Sequence, residues 1–199
     1  MNQQIVRIEE LEDILLQLQN FAPIPQTGQN KCWDSSLLGI PINCEGTGQD
    51  GEMQKGVAWL DPKFTDNIDD TVTDALPGLI WLKNPKCFGP VALGYVPWQS
   101  ALDACTNLQS GECVLSIGPN LGNRRLLDVR ELHSKIDFNK YHPTLTSAHT
   151  FKDVITYYWT SPTVADSPDR AFRVSLEAGN IGEGTKLSPD VTVLPVRGG

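Results

Sequence analysis

No stretch of this sequence approaches the roughly 20 consecutive apolar residues that a bilayer-spanning helix needs, so membrane insertion is not expected. The opening MNQQIVRIEELEDILL carries acidic residues where a signal peptide needs an apolar core. With no export signal visible, the chain reads as cytoplasmic or as a fragment of a longer exported protein. Histidine is scarce, at His133, His142 and His149, and the five cysteines lack the paired CxxC spacing of a structural zinc site. There is no GxSxG, HExxH, P-loop or GxGxxG motif and no convergent nucleophile and base, so the reading is not an enzyme. Positive charge is short as well. A net charge of −8 and a pI near 4.8 repel phosphate backbones and anionic headgroups, which removes nucleic acid from the expected partners.

What is present is turn chemistry: 17 Gly and 14 Pro imply many loops and few long helices. The length suits one full-sized core, read as a domain over residues 23–199 preceded by a helical appendage over 1–22. Cys32 and Cys44 flank WDSSLLGIPIN, whose central Gly39 lets the segment fold back and bring the two sulfurs together. Cys87 reaches Cys113 across the next helix in the same reading, which leaves Cys105 unpaired. The alternative is five reduced, buried thiols in a cytosolic protein. The disulfide reading favours an extracellular or cell-surface location.

Over residues 5–19, Ile8, Leu11, Leu15 and Leu18 recur at spacings of three and four, which predicts a helix with an apolar seam. Two heptads of this kind serve either as the end of a coiled-coil stalk, giving a homodimer or trimer through residues 5–20, or as a single helix lying on the domain. Period-two segments at Phe64-Thr65-Asp66 and Thr71-Val72-Thr73 predict a hairpin, and Leu79-Ile80-Trp81-Leu82 a buried strand. Pro97 opens a helix with Trp98, Ala101, Leu102, Cys105 and Leu108 on one face. Asp128 and Glu131 form a capping-box pattern at the head of LDVRELHSKIDF, with Val129, Leu132 and Ile136 inward. Strands are expected at 157–160, 171–176 and 191–197, with AGNIGEGTK as a glycine-rich turn between the last two and the terminal strand paired inside the sheet. Together these give an α+β fold with mixed or antiparallel sheets, two packed helices and long loops.

TGQDGEMQKGVAW (47–59), FTDNIDDTVTDALPGLIWLKN (64–84), the helix from Trp98 to Ala104, the stretch from Arg125 to Leu132, YYWTS (157–161) and the closing Val196-Arg197 together resemble the Legionella collagen-like protein C-terminal domain family. The resemblance covers about residues 23–199. It implies a C-type-lectin-like fold related to sulfatase-modifying-factor domains, and a surface adhesin module that binds sulfated polysaccharide, often as a trimer on a stalk. Cys32, Cys44, Cys87 and Cys113 stand where the family has cysteines; Cys105 stands where it has a small residue. Two departures are visible. The hairpin turn reads Asp69-Asp70 in place of Asp-Gly. Arg124-Arg125-Leu126-Leu127 replaces Trp-Arg-Leu-Pro, which would turn Arg124 toward solvent.

A sulfated glycan needs guanidinium and ammonium groups on one surface, and Arg124, Arg125, Arg130, Lys135 and Lys140 are the candidates. The plain alternative is an ordinary charged helix face, with Arg125 the partner of a carboxylate. Trp33, in a turn-rich segment, is the aromatic expected to be exposed; the other tryptophans and Tyr157 and Tyr158 are expected in the core. No cofactor is required. Ca²⁺ has one candidate loop, Asp66, Asn67, Asp69, Asp70 and Asp74, although alternating hairpin side chains scatter such ligands over two faces. The expected role is a non-catalytic domain binding a glycan or a protein receptor. The rivals are a variable-loop protein-display module and a sulfatase-modifying-type enzyme with an activated thiol.

Overall fold

The computed structural model describes residues 24–88, 94–109, 111–113, 115, 124–154 and 157–198. The helix expected over 5–19 lies outside the described residues. After Ile24 the chain builds an arm over residues 24–60. In it β1 (Cys32–Trp33) pairs antiparallel with β2 (Pro41–Ile42), Cys32 lying opposite Ile42. The Cys32–Cys44 disulfide closes this hairpin, as the spacing around Gly39 predicts. Its tip is fixed from inside: one carboxylate oxygen of Asp34 accepts from the backbone amides of Ser36 and Ile40, at 3.2 and 2.8 Å. A one-turn helix, α1 (Asp50–Met53), follows, and its Gly51 lies so close to the chain that a Cβ would sit 2.3 Å from the Lys31 carbonyl oxygen.

The central sheet contains β3 (Phe64–Asp66), β4 (Thr71–Asp74), β5 (Ile80–Leu82) and the terminal β9 (Val196–Arg197), in the order β3-β4-β5-β9. Val72, Trp81 and Val196 pair in one row and are fully buried. On its far side Val196 exchanges hydrogen bonds with Arg125, so the terminal strand is flanked by chain on both edges, as expected. Regular pairing is confined to its last two residues. Pro195, which has no N–H to give a ladder, precedes them and uses its carbonyl to accept from Leu82.

The second sheet consists of β6 (Tyr157–Val164), β7 (Ser167–Ser175) and β8 (Ile181–Thr185), in sequence order. Here one expectation is corrected, because half of AGNIGEGTK is a strand. Gly184 lies under the Trp159 ring, where a Cβ would come within 3.1 Å of the indole, so that glycine permits close approach rather than making a turn. Both expected helices form, as α2 (Trp98–Asn107) and α3 (Val129–His133). α2 buries Ala101 and Cys105, and α3 carries the full Asp128/Glu131 capping box. α3 is shorter than its apolar spacing suggests, because after His133 the chain turns Lys135 into the core and bonds the Asp137 amide to the Thr144 carbonyl. The Cys87–Cys113 disulfide ties the 3-10 turn Pro85–Cys87 to the chain beyond α2. The result is α+β with three small sheets.

At the tip of the β3–β4 hairpin, Ile68 and Asp70 have φ of 66° and 60°. Asp70 thus holds the conformation that glycine adopts most easily, and Ile68, β-branched, holds one still less suited to it. Ile68 is 93% exposed and packs on nothing that its removal would empty. Ile68→Asn is expected to raise stability by about 1 kcal/mol, since asparagine tolerates the left-handed region. A urea midpoint that falls instead would contradict the strain account.

Candidate binding surface

The five predicted cations do not share a surface. Arg124 is 2% exposed and Lys135 is 0% exposed, which corrects both assignments. Lys135 sits 3.7 Å from Asp74, with its ammonium 3.4 Å from the Trp81 ring centre and near Phe64 and Phe151. Arg124 faces inward, close to Arg197, Asp69 and Cys105, because its neighbours Leu126 and Leu127 pull the segment into the core. Arg125 is half exposed, but its guanidinium grips both oxygens of Glu131, at 2.7 Å through one arm. It thereby fixes the residue that closes the α3 capping box. Arg130 and Lys140 remain, exposed and without an ion-pair partner among the described residues.

Lys140 belongs to a loop whose importance the sequence alone does not show. Residues 137–144 leave and re-enter the body at one point, because the Asp137 amide donates to the Thr144 carbonyl at 2.8 Å. The Asp137 carboxylate accepts from the Asn139 amide, and the Lys140 amide bonds back to the Asp137 carbonyl. The far end is bonded to the turn after β7: the His142 amide donates to the Glu177 carbonyl, and Thr144 uses both amide and hydroxyl on the Leu176 carbonyl. The Phe138 amide donates to the Thr27 carbonyl of the arm, and with these backbone groups paired the side chains are free to face outward.

Tyr141 is 75% exposed and Phe138 41% exposed. Phe138 packs edge-on against His133, ring centres 5.4 Å apart, and Tyr141 lies 5.9 Å from the His142 ring. His133 and Arg130 are three apart on α3 and so are neighbours on its surface. Burial holds the His133 imidazole below its ordinary pKa, favouring the neutral ring. His142 is paired with Glu177 at 2.7 Å. The signal was available in the sequence as Phe138, Lys140, Tyr141 and His142 within one short polar stretch before Pro143. Trp33 is 42% exposed, as expected, but belongs to the arm.

The candidate calcium loop disperses its ligands. Asp66 pairs with Lys83, Asn67 donates to the Thr71 and Thr73 hydroxyls at 2.9 Å, and Asp69 accepts from the Thr71 amide and hydroxyl. Asp70 lies 3.5 Å from Lys152, and Asp74 is buried with Lys135. Among the described residues no three acidic, histidine or cysteine side chains converge as a metal set would. Cys105 is the single free thiol among the five cysteines, and burial pushes it up to about 12, away from the thiolate.

No helix of the described residues is long and apolar enough to cross a membrane. No curated protein and no solved structure matches the chain. Residues 70–197, from the tip of the first hairpin of the central sheet to its terminal strand, match the Lcl C-terminal domain family. That span includes α3, the 137–144 loop and the whole second sheet, and on this match the chain belongs to the Lcl C-terminal domain family.

Proposed function

We propose that this surface-associated domain is a non-catalytic binding module, C-type-lectin-like in fold, that recognises a polysaccharide through the 137–144 loop and the adjoining face of α3. The observation that carries the reading is Tyr141, a large exposed aromatic on a loop bonded at both ends, next to Lys140 with no ion-pair partner among the described residues. A sugar ring stacks on such an aromatic face at little entropic cost, because the loop is already ordered. Arg130 and Lys140 supply charge-assisted hydrogen bonds to sulfate or carboxylate oxygens of the same chain. Two cations make a weaker anionic subsite than the five expected from sequence, so the aromatic contributes more of the affinity. Two disulfides fit an oxidising, extracellular setting. The raised thiol of Cys105 argues against the sulfatase-modifying-type chemistry.

A glycan array with and without EDTA tests the reading. Hits among sulfated or uronic glycans, unchanged by chelation, are expected. Tyr141→Ala should weaken binding by about fivefold or more, on the scale of the roughly 1–3 kcal/mol that a flat nucleobase gains by stacking on an aromatic. Arg130→Gln with Lys140→Gln should flatten the salt dependence of binding. Full retention of binding by all these variants would remove the loop from the site, and an array without hits would move the reading to a protein receptor.

A further inference from the structure

The buried cations of this fold are not provided for alike. Lys135 has the Asp74 carboxylate, and Lys63 donates to two backbone carbonyls. Arg124, just as enclosed, has neither: its three side-chain nitrogens are buried without a hydrogen-bond partner among the described residues. A second guanidinium lies next to it. Arg125 and Val196 form an antiparallel bridge, exchanging hydrogen bonds of 2.9 and 3.0 Å, and one further step of that register sets Arg124 opposite Arg197. The Arg197 Nε is likewise buried and unbonded among the described residues. Like charges facing each other across strands repel. Burial first, and then the Arg197 charge, disfavour the Arg124 cation.

Negative charge nearby does not balance the two. Asp69 acts on Arg124 but forms no ion pair with it, and one of its oxygens already accepts from the Thr71 amide and hydroxyl. The Cys105 thiol, pushed up to about 12, is neutral at physiological pH. Two guanidiniums against one carboxylate leave one positive charge. A lysine in this place can release its proton, as a buried amine does; an arginine cannot. A water molecule accepts N–H groups but brings no charge. We infer that the facing guanidiniums of Arg124 and Arg197 hold a monovalent inorganic anion, chloride by its chemistry. Chloride accepts hydrogen bonds from any direction, which suits donors arriving from two neighbouring segments, and it cancels the one unbalanced charge. Bound there, it ties the chain entering α3 to the terminal strand β9. A polysaccharide cannot reach a buried Arg124, so this site is independent of the 137–144 loop.

Urea unfolding of the full chain at fixed ionic strength, with chloride exchanged stepwise for the bulkier gluconate, reads the site. From about 1 to 100 mM chloride the folded-to-unfolded ratio of the wild type is expected to rise at least about tenfold, since a ligand of the folded state alone raises it in proportion once above its Kd. Arg124→Leu should abolish that rise, whereas a general salt effect would persist in it. Its midpoint in gluconate should equal or exceed that of the wild type, because the unpaired charge goes with the site. Arg197→Gln should move the chloride dependence to concentrations about tenfold higher, and it decides the matter if the leucine variant does not fold. Crystals with bromide in place of chloride should show an anomalous peak within hydrogen-bond reach of both guanidiniums. A wild type indifferent to chloride overturns the inference. So does a chloride dependence that both variants keep unchanged, or a bromide map with no peak between the two side chains.

Discussion

Asp74→Asn should lower the unfolding free energy by about 3–5 kcal/mol, the range for removing one member of a buried ion pair. Asp74 is 1% exposed and Lys135 0%, and the 3.7 Å between them is an ion pair too long for a direct hydrogen bond. Among the described residues no other carboxylate pairs with the ammonium; the Lys63 charge opposes it, and the faces of Trp81, Phe64 and Phe151 surround it. These attract a cation but do not replace a countercharge. With asparagine in place, Lys135 either stays charged without a partner or gives up its proton. Deprotonating a lysine of ordinary pKa ~10.4 at pH 7 costs about 4.6 kcal/mol at 1.36 kcal/mol per unit, so both routes lead to the same range. Lys135→Met in the Asp74→Asn background should recover much of the loss, since the orphaned charge goes with it. Chemical denaturation of the wild type, both single variants and the double variant checks this. A single Asp74→Asn variant within about 1 kcal/mol of wild type would mean that the pair does not hold the core.

The same pocket gives stability a pH dependence of known sign. Lys63, 6% exposed, donates to the Ser134 and Lys135 carbonyls, and burial pushes its ammonium down to about 8 against the pull of Asp74 and Asp137. Burial also holds Lys135 well below its ordinary value, with Asp74 opposing. Between about 8 and 10.5 the unfolded chain binds the Lys63 proton and the folded chain has released it. This contribution therefore makes stability rise as pH increases through that interval, and the full penalty of a buried charge is present below it. Lys63→Met should flatten the rise, and a profile identical to wild type would contradict it.

Where local chemistry decides structure, the sequence was readable. Asp128 and Glu131 announce their capping box because each satisfies the other's orphan amide, independently of anything distant. The Phe64–Asp66 and Thr71–Asp74 strands are legible as a hairpin and pair in unbroken antiparallel register, although adjacent Thr71 and Val72 are both buried. Cys32 and Cys44 are legible because a turn of that length can close. The cation set failed for the opposite reason. Arg124, Arg130 and Lys135 look alike in a row of letters, and only the packing of Leu126, Leu127 and Ile136 decides that two of them point inward. Lys135 becomes a core residue through Asp74, 61 positions away, a partner no window could supply. The glycines of β8 misled for a related cause, since Gly184 answers to the Trp159 ring on another strand. The 137–144 loop was missed because its order comes from the backbone of Leu176 and Glu177, not from its own composition.

Cys32→Ser with Cys44→Ser should loosen the arm while leaving the body folded. Closing a loop of twelve-residue separation removes about 3 kcal/mol of chain entropy from the open state in the chain-entropy model. The arm has little else to replace it, with two buried residues and mainly polar links, among them the Thr27 carbonyl accepting from the Phe138 amide. Loss of the bridge should raise the open population of residues 24–60 by roughly a hundredfold, since each 1.4 kcal/mol is a factor of ten. Limited proteolysis should then cut within the arm at a correspondingly higher rate. The global unfolding transition, followed by far-ultraviolet dichroism, should shift by less than about 1 kcal/mol, as expected when regions open independently. Gly51→Ala offers the same outcome with the disulfide intact, because its Cβ meets the Lys31 carbonyl, which is backbone and cannot rotate away. If either variant instead lowers the global midpoint by the full ~3 kcal/mol, arm and core are one cooperative unit. If they open separately, cleavage within residues 24–60 should leave the unfolding midpoint of the core unchanged.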